Sequence, residues 1–460
     1  MVTPSAAAEA TSVITGAQTI EAKSIPPATR KLSLLGQVLS SETALHQGAV
    51  SLADQAVSSA TNFLTGVIIA RACSKEELGL YMLGFSLILL MTDFQTSLIT
   101  TPYMVYAPRL KGRAHALYTG SALIHQSTFC VITMLGVACG AIVVTHGVGP
   151  RGLGPVLWAL VLVIALIMLR EHARRVSFAR LRLKTAFLFD TFIAVGQISG
   201  LLVLARFHLL SASRAYWMVG SVCGIAVVGW LWSDGGCYDP RLSESLADFK
   251  KNWTLGKWVF ASGLVWAVSM NLYPWLLAAF HGVASTGVWA ACLGVVSVGN
   301  PFLLGTQNLI GPKIAHEYAA NGPRGLHRLV LKIAAVVGTP MSMLCLVMFI
   351  WGGRFLTLLY GGQYAGNRLI VAILALNLLV TATTFSFSRA LFAVDRAYVD
   401  FLVNFTALFI MLTLGLWMVR AFGTLGAALG LLGANFATSA VRVGVFLKLP
   451  NGLPRSQARD

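Results

Sequence analysis

The stretch DQAVSSATNFLTGVIIAR, residues 54–71, is an apolar run that begins at an aspartate and ends at an arginine. On an α-helix of 3.6 residues per turn, one side of this run collects five polar side chains: Asp54, Ser58, Thr61, Asn62 and Thr65. Lipid cannot satisfy the hydrogen bonds of such groups, so in a membrane this side must face protein or water.

The composition of the whole chain predicts that this run lies in a membrane. Of the 460 residues, 56% are hydrophobic and 11% are charged, against about 25% charged residues in a typical soluble domain. Apolar runs of about 20 residues recur, and each can cross a bilayer as a helix. The sequence therefore predicts an all-α polytopic membrane protein with about twelve spans, at 47–70, 79–104, 117–145, 155–178, 185–206, 213–233, 256–281, 284–310, 327–351, 366–391, 397–419 and 423–447.

The distribution of basic residues predicts how these spans are oriented. With a cytoplasmic N-terminus, the inner segments hold 26 of the 34 Lys and Arg residues, as the positive-inside rule requires. Both termini are then cytoplasmic. The predicted organisation is a disordered cytoplasmic tail (1–45), a six-helix bundle (46–233), a cytoplasmic linker (234–255), a second six-helix bundle (256–448) and a cytoplasmic tail (449–460).

Weak internal similarity predicts that the two bundles are repeats. Arg180 aligns with Arg389, Gly79 with Gly287 and Asn62 with Asn271, at offsets of 208 or 209 residues. Because each half has an even number of spans, the halves share one orientation and are parallel repeats about an axis along the membrane normal. This architecture is typical of a rocking transporter whose substrate binds between the halves.

Several function classes are excluded or disfavoured. The formal net charge of +17 is spread over alternate loops, so it indicates attraction to an anionic membrane surface rather than nucleic-acid binding. The seven cysteines are scattered, without CxxC or a Cys/His cluster, and predict neither a metal site nor a disulfide framework. We find no catalytic motif, ATPase module or cofactor motif, so we expect a transporter that is not an enzyme, with coupling to Na⁺ or H⁺ left open.

Five deep polar residues are candidates for lining a substrate cavity between the halves, which the first, second, seventh and eighth spans are expected to form. They are Asp54, Asn62, Asp93, Gln95 and Asn271. Carboxylates inside spans are costly, and Asp93 is the deepest acidic residue. The alternative for Asp93 is a carboxylate held by a neighbouring helix. The alternative for Asp54, about two turns from the predicted inner edge, is contact with water.

Residues 54–90 resemble the first two helices of bacterial polysaccharide-lipid flippases. These are Wzx-like members of the polysaccharide transporter branch of the multidrug/oligosaccharidyl-lipid/polysaccharide superfamily. The matching residues are Asp54, Gln55, Ser58, Asn62, Phe63, Ala70, Arg71, Glu77, Gly79 and Tyr81. The resemblance implies transfer of an undecaprenyl-diphosphate-linked oligosaccharide to the outer leaflet of the bacterial inner membrane, for O-antigen, lipopolysaccharide or exopolysaccharide assembly, with other polysaccharide-assembly proteins as potential partners.

Three arginines at predicted inner helix ends are candidates for capturing the diphosphate: Arg109, Arg180 and Arg389. The planar guanidinium suits phosphate oxygens, although arginines at these positions also fit the positive-inside rule. We find no Lys or Arg at predicted mid-membrane depth. The alternative function is the superfamily's cation-coupled multidrug export, for which Asp54 would be the coupling carboxylate.

Overall fold

The computed structural model describes residues 42–234, 238–394 and 397–448. The predicted C-terminal tail lies outside these residues, as does the predicted N-terminal tail apart from residues 42–45, which begin the first helix.

The described residues form twelve helical stretches. The first six are α1 (Glu42–Ala72), α2 (Lys75–Gln95), α3 (Gly112–Thr145), α4 (Leu153–Ala179), α5 (Leu183–Arg206) and α6 (Ala212–Asp234). The next six are α7 (Leu242–His281), α8 (Val283–Val296), α9 (Asn300–Tyr360), α10 (Arg368–Ala393), α11 (Ala397–Ile410) and α12 (Leu416–Leu447). A π turn, a short α-helix (Thr101–Tyr106) and a 3-10 turn extend α2 to Arg109. A 3-10 turn joins α8 to α9, and a π turn joins α11 to α12. We name the two ends of the assembly the Arg71 end, where α1 finishes, and the Arg109 end, where α2 finishes.

Within the described residues, ten helices are long and apolar enough to cross a membrane. The prediction of about twelve spans differs at two places. Helix α1 is not among the ten, because its polar stripe lowers its mean hydropathy. The last two predicted spans form one long helix, which bends at Gly423, where the backbone is not helical (φ 58°). The all-α polytopic fold is therefore as predicted, and the span count depends on how these two segments are treated.

Helices α2 and α8 cross at the Arg71 end in a reciprocal way. A Cβ atom on Gly79 would lie 2.0 Å from the carbonyl oxygen of Val283, and one on Gly287 would lie 2.0 Å from the carbonyl oxygen of Lys75. The two contacts correspond at an offset of 208 residues, because Gly287 corresponds to Gly79 and Val283 corresponds to Lys75. Small residues at such crossings let helix backbones approach closely, and this reciprocity is the geometry expected of two parallel repeats.

The buried apolar clusters join the two halves at one end only. At the Arg71 end, Ile69 and Leu78 share one core with Trp289, Leu356 and Tyr360. Towards the Arg109 end, α9–α12 and the first half have separate clusters in the part of the chain that the structure describes. Helices α9–α12 therefore pack on the first half at the Arg71 end and have a separate cluster towards the Arg109 end. Helix α7 also contacts α2 in the middle and towards the Arg109 end, through Trp275 on Ser86 and Phe260 on Phe94.

The predicted linker is largely helical. Residues 238–241 have no regular secondary structure, and α7 begins at Leu242 and continues without a break to His281. The backbone amide of Asp239 donates to the carbonyl of Ala116, so the connection is attached to α3. The first turns of α7 therefore lie against α3. The rest of α7 packs both on α2, through Phe260 and Trp275, and in the core shared with the second half, through Tyr273 and Leu277.

Candidate functional site

A cleft of about 570 Å³ opens between the two halves. Helices α1 and α2 form one wall, and α8 and the two ends of α9 form the other; the predicted wall included α7 in place of α9. The polar residues on the walls are Ser59, Asn62, Tyr81, Ser297, Asn300 and Tyr360. Most of the remaining lining is apolar or aromatic, which suits a large ligand better than a hydrated ion.

A second cavity of about 230 Å³ lies inside the first half. Asn62, Tyr81 and Phe85 line both this cavity and the cleft, so the two spaces adjoin at these side chains. The inner cavity is more polar, with Ser58, Thr61, Thr92, Arg170, Glu171, Asp190 and Gln197 on its walls. The candidate site is thus a composite, with an apolar cleft between the halves and a charged recess in the first half.

An ion-pair network centred on Arg174 forms the base of this recess. The Arg174 Nη2 atom lies 2.6 Å from Asp54 Oδ2, and its Nε atom lies 2.6 Å from Asp190 Oδ2. Arg170 pairs with the other oxygen of Asp190. Asp54 is 1% exposed and Asp190 is 2% exposed, so both carboxylates depend on these guanidinium groups for their stabilisation.

Glu171 and Arg175 extend the network along α4. The Arg175 Nε atom lies 2.6 Å from Glu171 Oε1, and Arg174 Nη1 lies 3.6 Å from the same oxygen. The described network contains three arginines and three carboxylates, so its formal charges cancel. It ties together α1, α4 and α5, which carry Asp54, the arginines and Asp190 respectively.

The local sequence explains where the network lies. Helix α4 is apolar from Leu153 to Leu169 and then reads REHARR at 170–175. Residues 170 and 174 are one helical turn apart and therefore face the same side. That side faces Asp54, about midway along α1, and Asp190, two turns into α5, so four charged side chains meet near the Arg109 end.

The Arg71 end is closed by reciprocal hydrogen bonds between α1 and the end of α9. Arg71 donates from Nε to the carbonyl of Leu359, at 2.8 Å, and from Nη2 to the carbonyl of Leu358. Gln363 donates in return to the carbonyls of Ala70, at 2.8 Å, and Cys73, at 3.1 Å. Each helix end thus satisfies carbonyls that the other helix end leaves without intrahelical partners.

The structure places the five predicted cavity residues in different environments. Asn62 is exposed and lines both spaces. Asp54 is buried against Arg174. Gln95 is buried and donates to the Met168 carbonyl of α4, at 2.9 Å. Asn271 donates to the Ala267 carbonyl of its own helix, at 2.8 Å, and Asp93 is half-buried on α2. Their roles in transport stay predictions.

The three predicted phosphate-capturing arginines do not form one cluster. Arg109 is exposed at the end of α2. The Arg180 guanidinium lies 5.6 Å from the ring centre of Tyr238. Arg389 is exposed, and its guanidinium lies 4.8 Å from the ring centre of Phe385 on the same helix. All three lie at helix ends on the Arg109 side, and their role in binding phosphate also stays a prediction.

Sequence reasoning missed Arg170 and Arg174, which are the basic residues most closely associated with the recess. They were grouped with the basic residues that set the orientation, because they lie near the end of an apolar run. The signal that could have identified them is their one-turn spacing together with Glu171 inside the predicted span 155–178.

No protein-family model matches the chain. A curated relative, "Capsular polysaccharide biosynthesis protein CapF" of Staphylococcus aureus, is 21% identical over 225 residues, or 48% of this chain. The match spans about half the length of that relative (56%).

Solved structures match over much more of the chain. An inward-facing multidrug resistance MATE family transporter of the MOP superfamily matches with a TM-score of 0.68 and 14% identity, covering 85% of this chain and 95% of that one. The lipid II flippase MurJ in an inward closed conformation matches with a TM-score of 0.67 and 12% identity, covering 87% and 88%. The chain thus has the fold of transporters of the MOP (multidrug/oligosaccharidyl-lipid/polysaccharide) superfamily, and the resemblance found in the sequence is confirmed at the level of the fold.

Proposed function

We propose that this protein is a flippase for an undecaprenyl-diphosphate-linked oligosaccharide. It carries the headgroup from the inner to the outer leaflet of the bacterial inner membrane for assembly of a surface polysaccharide, such as O-antigen, lipopolysaccharide or exopolysaccharide. The observation that carries the proposal is the composite site, in which a mostly apolar cleft between two repeats adjoins a recess containing arginines.

The packing of the two halves supports an alternating-access mechanism. At the Arg71 end the halves share a core and reciprocal hydrogen bonds, whereas towards the Arg109 end α9–α12 and the first half have separate clusters. Helix α7 stays in contact with α2. With the proposed cytoplasmic N-terminus, this state is closed outward and open inward. The other state would require the Arg71 end to part, so substrate binding must favour each state differently. The lipid tail stays in the bilayer while the glycan crosses in the cleft.

Arg170 is the residue that we propose to receive the diphosphate in the recess. It lines the inner cavity, and it is already paired with a carboxylate, Asp190. A guanidinium oriented towards one oxyanion can bind another, such as a phosphate oxygen, through its planar fork. Substrate binding would then exchange Asp190 for the diphosphate, while Arg174 retains its pairs with Asp54 and Asp190.

Cation-coupled multidrug export is the second candidate function. The observation that favours it is the pair of buried carboxylates, Asp54 and Asp190, which one arginine joins between α1 and α5. The large apolar area of the cleft would also accept an aromatic drug. The two functions differ in what the arginines do: a flippase uses Arg170 to hold the substrate, whereas an exporter needs it only to pair with a carboxylate.

A double substitution separates these roles. Export of lipid-linked oligosaccharide would be measured in cells that lack the native protein, with membrane levels of each variant checked. Arg170→Ala should lower export at least tenfold, because a hydrogen bond to a charged group contributes about 1.5–3 kcal/mol. If Arg170 binds the diphosphate, adding Asp190→Ala will not restore export. If Arg170 only neutralises Asp190, the double variant will recover.

Arg175→Ala is the matched control. It removes the same charge from the same helix, but Arg175 pairs with Glu171 and is not among the cavity residues. It should retain most of the export activity. Normal glycan export by Arg170→Ala, together with lost efflux of cationic dyes, would move the protein to the multidrug branch.

A further inference from the structure

Two aromatic rings of α2 lie at the boundary between the cleft and the recess. Tyr81 and Phe85 are one helical turn apart, and both are half-buried and line both spaces. Their ring centres lie 6.1 Å apart, and the ring planes differ by only 12°. An aromatic surface therefore stands where the charged recess meets the mostly apolar cleft.

Tyr216 of α6 supports this surface. Its ring stacks on the Tyr81 ring, with centres 4.9 Å apart and 18° between the planes, and its hydroxyl donates to the Tyr81 carbonyl oxygen. Gly84 leaves room for it, because an added Cβ would lie 2.8 Å from two atoms of Tyr216. The three rings are thus nearly parallel and held in place. A ligand that stacks on Phe85 meets a preorganised surface and loses little affinity to side-chain ordering.

Two polar side chains of α1 face the same spaces with free hydrogen-bonding capacity. Asn62 is exposed and lines both the cleft and the recess, and Ser58, one turn earlier, lines the recess. Neither side chain has a hydrogen bond to another residue in the part of the chain that the structure describes. An amide and a hydroxyl each donate and accept, so this side of the boundary suits a ligand with several hydroxyl groups.

A sugar ring combines the two properties that these walls would bind. The C–H groups on one face of a pyranose are apolar and weakly positive, and they match the negative face of an aromatic ring. The hydroxyls around its edge donate and accept hydrogen bonds. An aromatic ring beside an unpaired amide and hydroxyl therefore fits a sugar better than it fits a lipid tail, which has no polar edge.

We infer that Phe85 is the platform on which the sugar attached to the diphosphate stacks, with Asn62 and Ser58 binding its hydroxyls. The inference rests on the proposed function, because Arg170, the proposed diphosphate ligand, lines the same recess. The sugar next to the diphosphate is the one that reaches Phe85 while the diphosphate is bound. Phe85 thus determines specificity, because it favours a lipid that carries a glycan over bare undecaprenyl diphosphate.

The test compares undecaprenyl diphosphate with the same lipid carrying N-acetylglucosamine or galactose. Binding to the purified full-length protein in nanodiscs is measured by microscale thermophoresis. We expect the wild-type protein to prefer a sugar-bearing lipid. Phe85→Leu should reduce this preference about fivefold, the effect of one aromatic contact, and Phe85→Tyr should retain it, because tyrosine keeps the ring. Phe129→Leu is the control and should leave the preference unchanged, because Phe129 lies on α3 and lines a different cavity.

Arg170→Ala separates this inference from the proposed function. It should weaken binding of the bare and the sugar-bearing lipids alike, because all of them carry the diphosphate. Equal binding of these lipids by the wild-type protein, or an undiminished preference in Phe85→Leu, would overturn the sugar platform and leave the flippase proposal standing. Failure of the wild-type protein to bind any of these lipids would overturn both. Binding of ethidium that is lost in Phe85→Leu would then assign the aromatic surface to a cationic drug.

Discussion

The two halves bury very different polar groups, although the residues through which they cross each other are alike. The first half holds a buried network of three arginines and three carboxylates. In the described part of the second half, side chains of neighbouring helices form mostly uncharged pairs: Thr384 with Ser439 at 2.9 Å and Asn377 with Asn435 at 2.8 Å, besides Arg442 with Asn404 at 3.0 Å. At an offset of 209, the positions of Arg170 and Arg174 are occupied by Leu379 and Thr383.

At the crossing of α2 and α8, by contrast, the halves match. Gly79 and Gly287 occupy equivalent positions and make equivalent backbone contacts. A close helix crossing admits few residue types, whereas the interior of a bundle requires only that buried polar groups be satisfied. The comparison teaches that the fold constrains the crossing in both halves, whereas buried charge is concentrated in the first half, which contains the recess.

Removal of the Arg174 guanidinium should have the largest effect on stability. Arg174→Ala leaves Asp54 without its ion-pair partner and Asp190 with only Arg170, and breaking a buried ion pair costs about 3–5 kcal/mol. The equivalent residue in the second half, Thr383, donates to carbonyls of its own helix, those of Leu379 and Val380. Thr383→Ala should cost about 0.6 kcal/mol, as is typical of hydrogen bonds in membrane proteins.

Thermal unfolding of the two purified variants in detergent would measure this difference. Similar losses of stability in Arg174→Ala and Thr383→Ala would mean that the network adds nothing beyond ordinary helix packing. The contrast between the two halves would then not extend to stability.

The sequence predicts the helices well because apolar runs of membrane length are a strong signal. The predicted number of spans differs for local reasons. Polar residues lower the hydropathy of α1, and the last two predicted spans form one helix that bends at a glycine. The site is harder to predict, because side-chain contacts depend on how helices rotate and cross. Asn62 was predicted and does line the cleft, whereas Arg170 lies at the end of an apolar run and looked like an orientation signal.

A methyl group at the helix crossing should have the next largest effect, and the same effect in both halves. Gly79→Ala and Gly287→Ala each place a Cβ atom 2.0 Å from a backbone oxygen, so α2 and α8 must separate. Overpacking of this kind costs about 1–3 kcal/mol. Thermal unfolding in detergent measures the cost, and Gly136→Ala is the control, because no atom lies within 4 Å of its added Cβ. A loss of stability in only one of these two variants would show that the two glycines are not equivalent.

The smallest effect should come from Arg71, which holds the two halves together at the closed end. Arg71→Ala removes its two hydrogen bonds to the end of α9. Arg71 is exposed, so each bond contributes only about 0.5–1.5 kcal/mol. The same free energy should appear as a shift towards the state that is open at the Arg71 end. Arg214→Ala is the control, because Arg214 is also exposed at that end but donates to Leu209 within its own half.

The shift can be measured at position 63, because the Phe63 ring lies edge-on to Tyr360 across the closed end, with ring centres 6.5 Å apart. A cysteine introduced by Phe63→Cys should react with a membrane-impermeant maleimide from the outside of intact cells. Reaction should be several-fold faster in the Arg71→Ala background than in the Arg214→Ala background. Adding Gln363→Ala to Arg71→Ala should increase the rate further, because Gln363 makes the return bonds to α1. Equal rates in all backgrounds would show that the glycine crossing alone keeps this end closed.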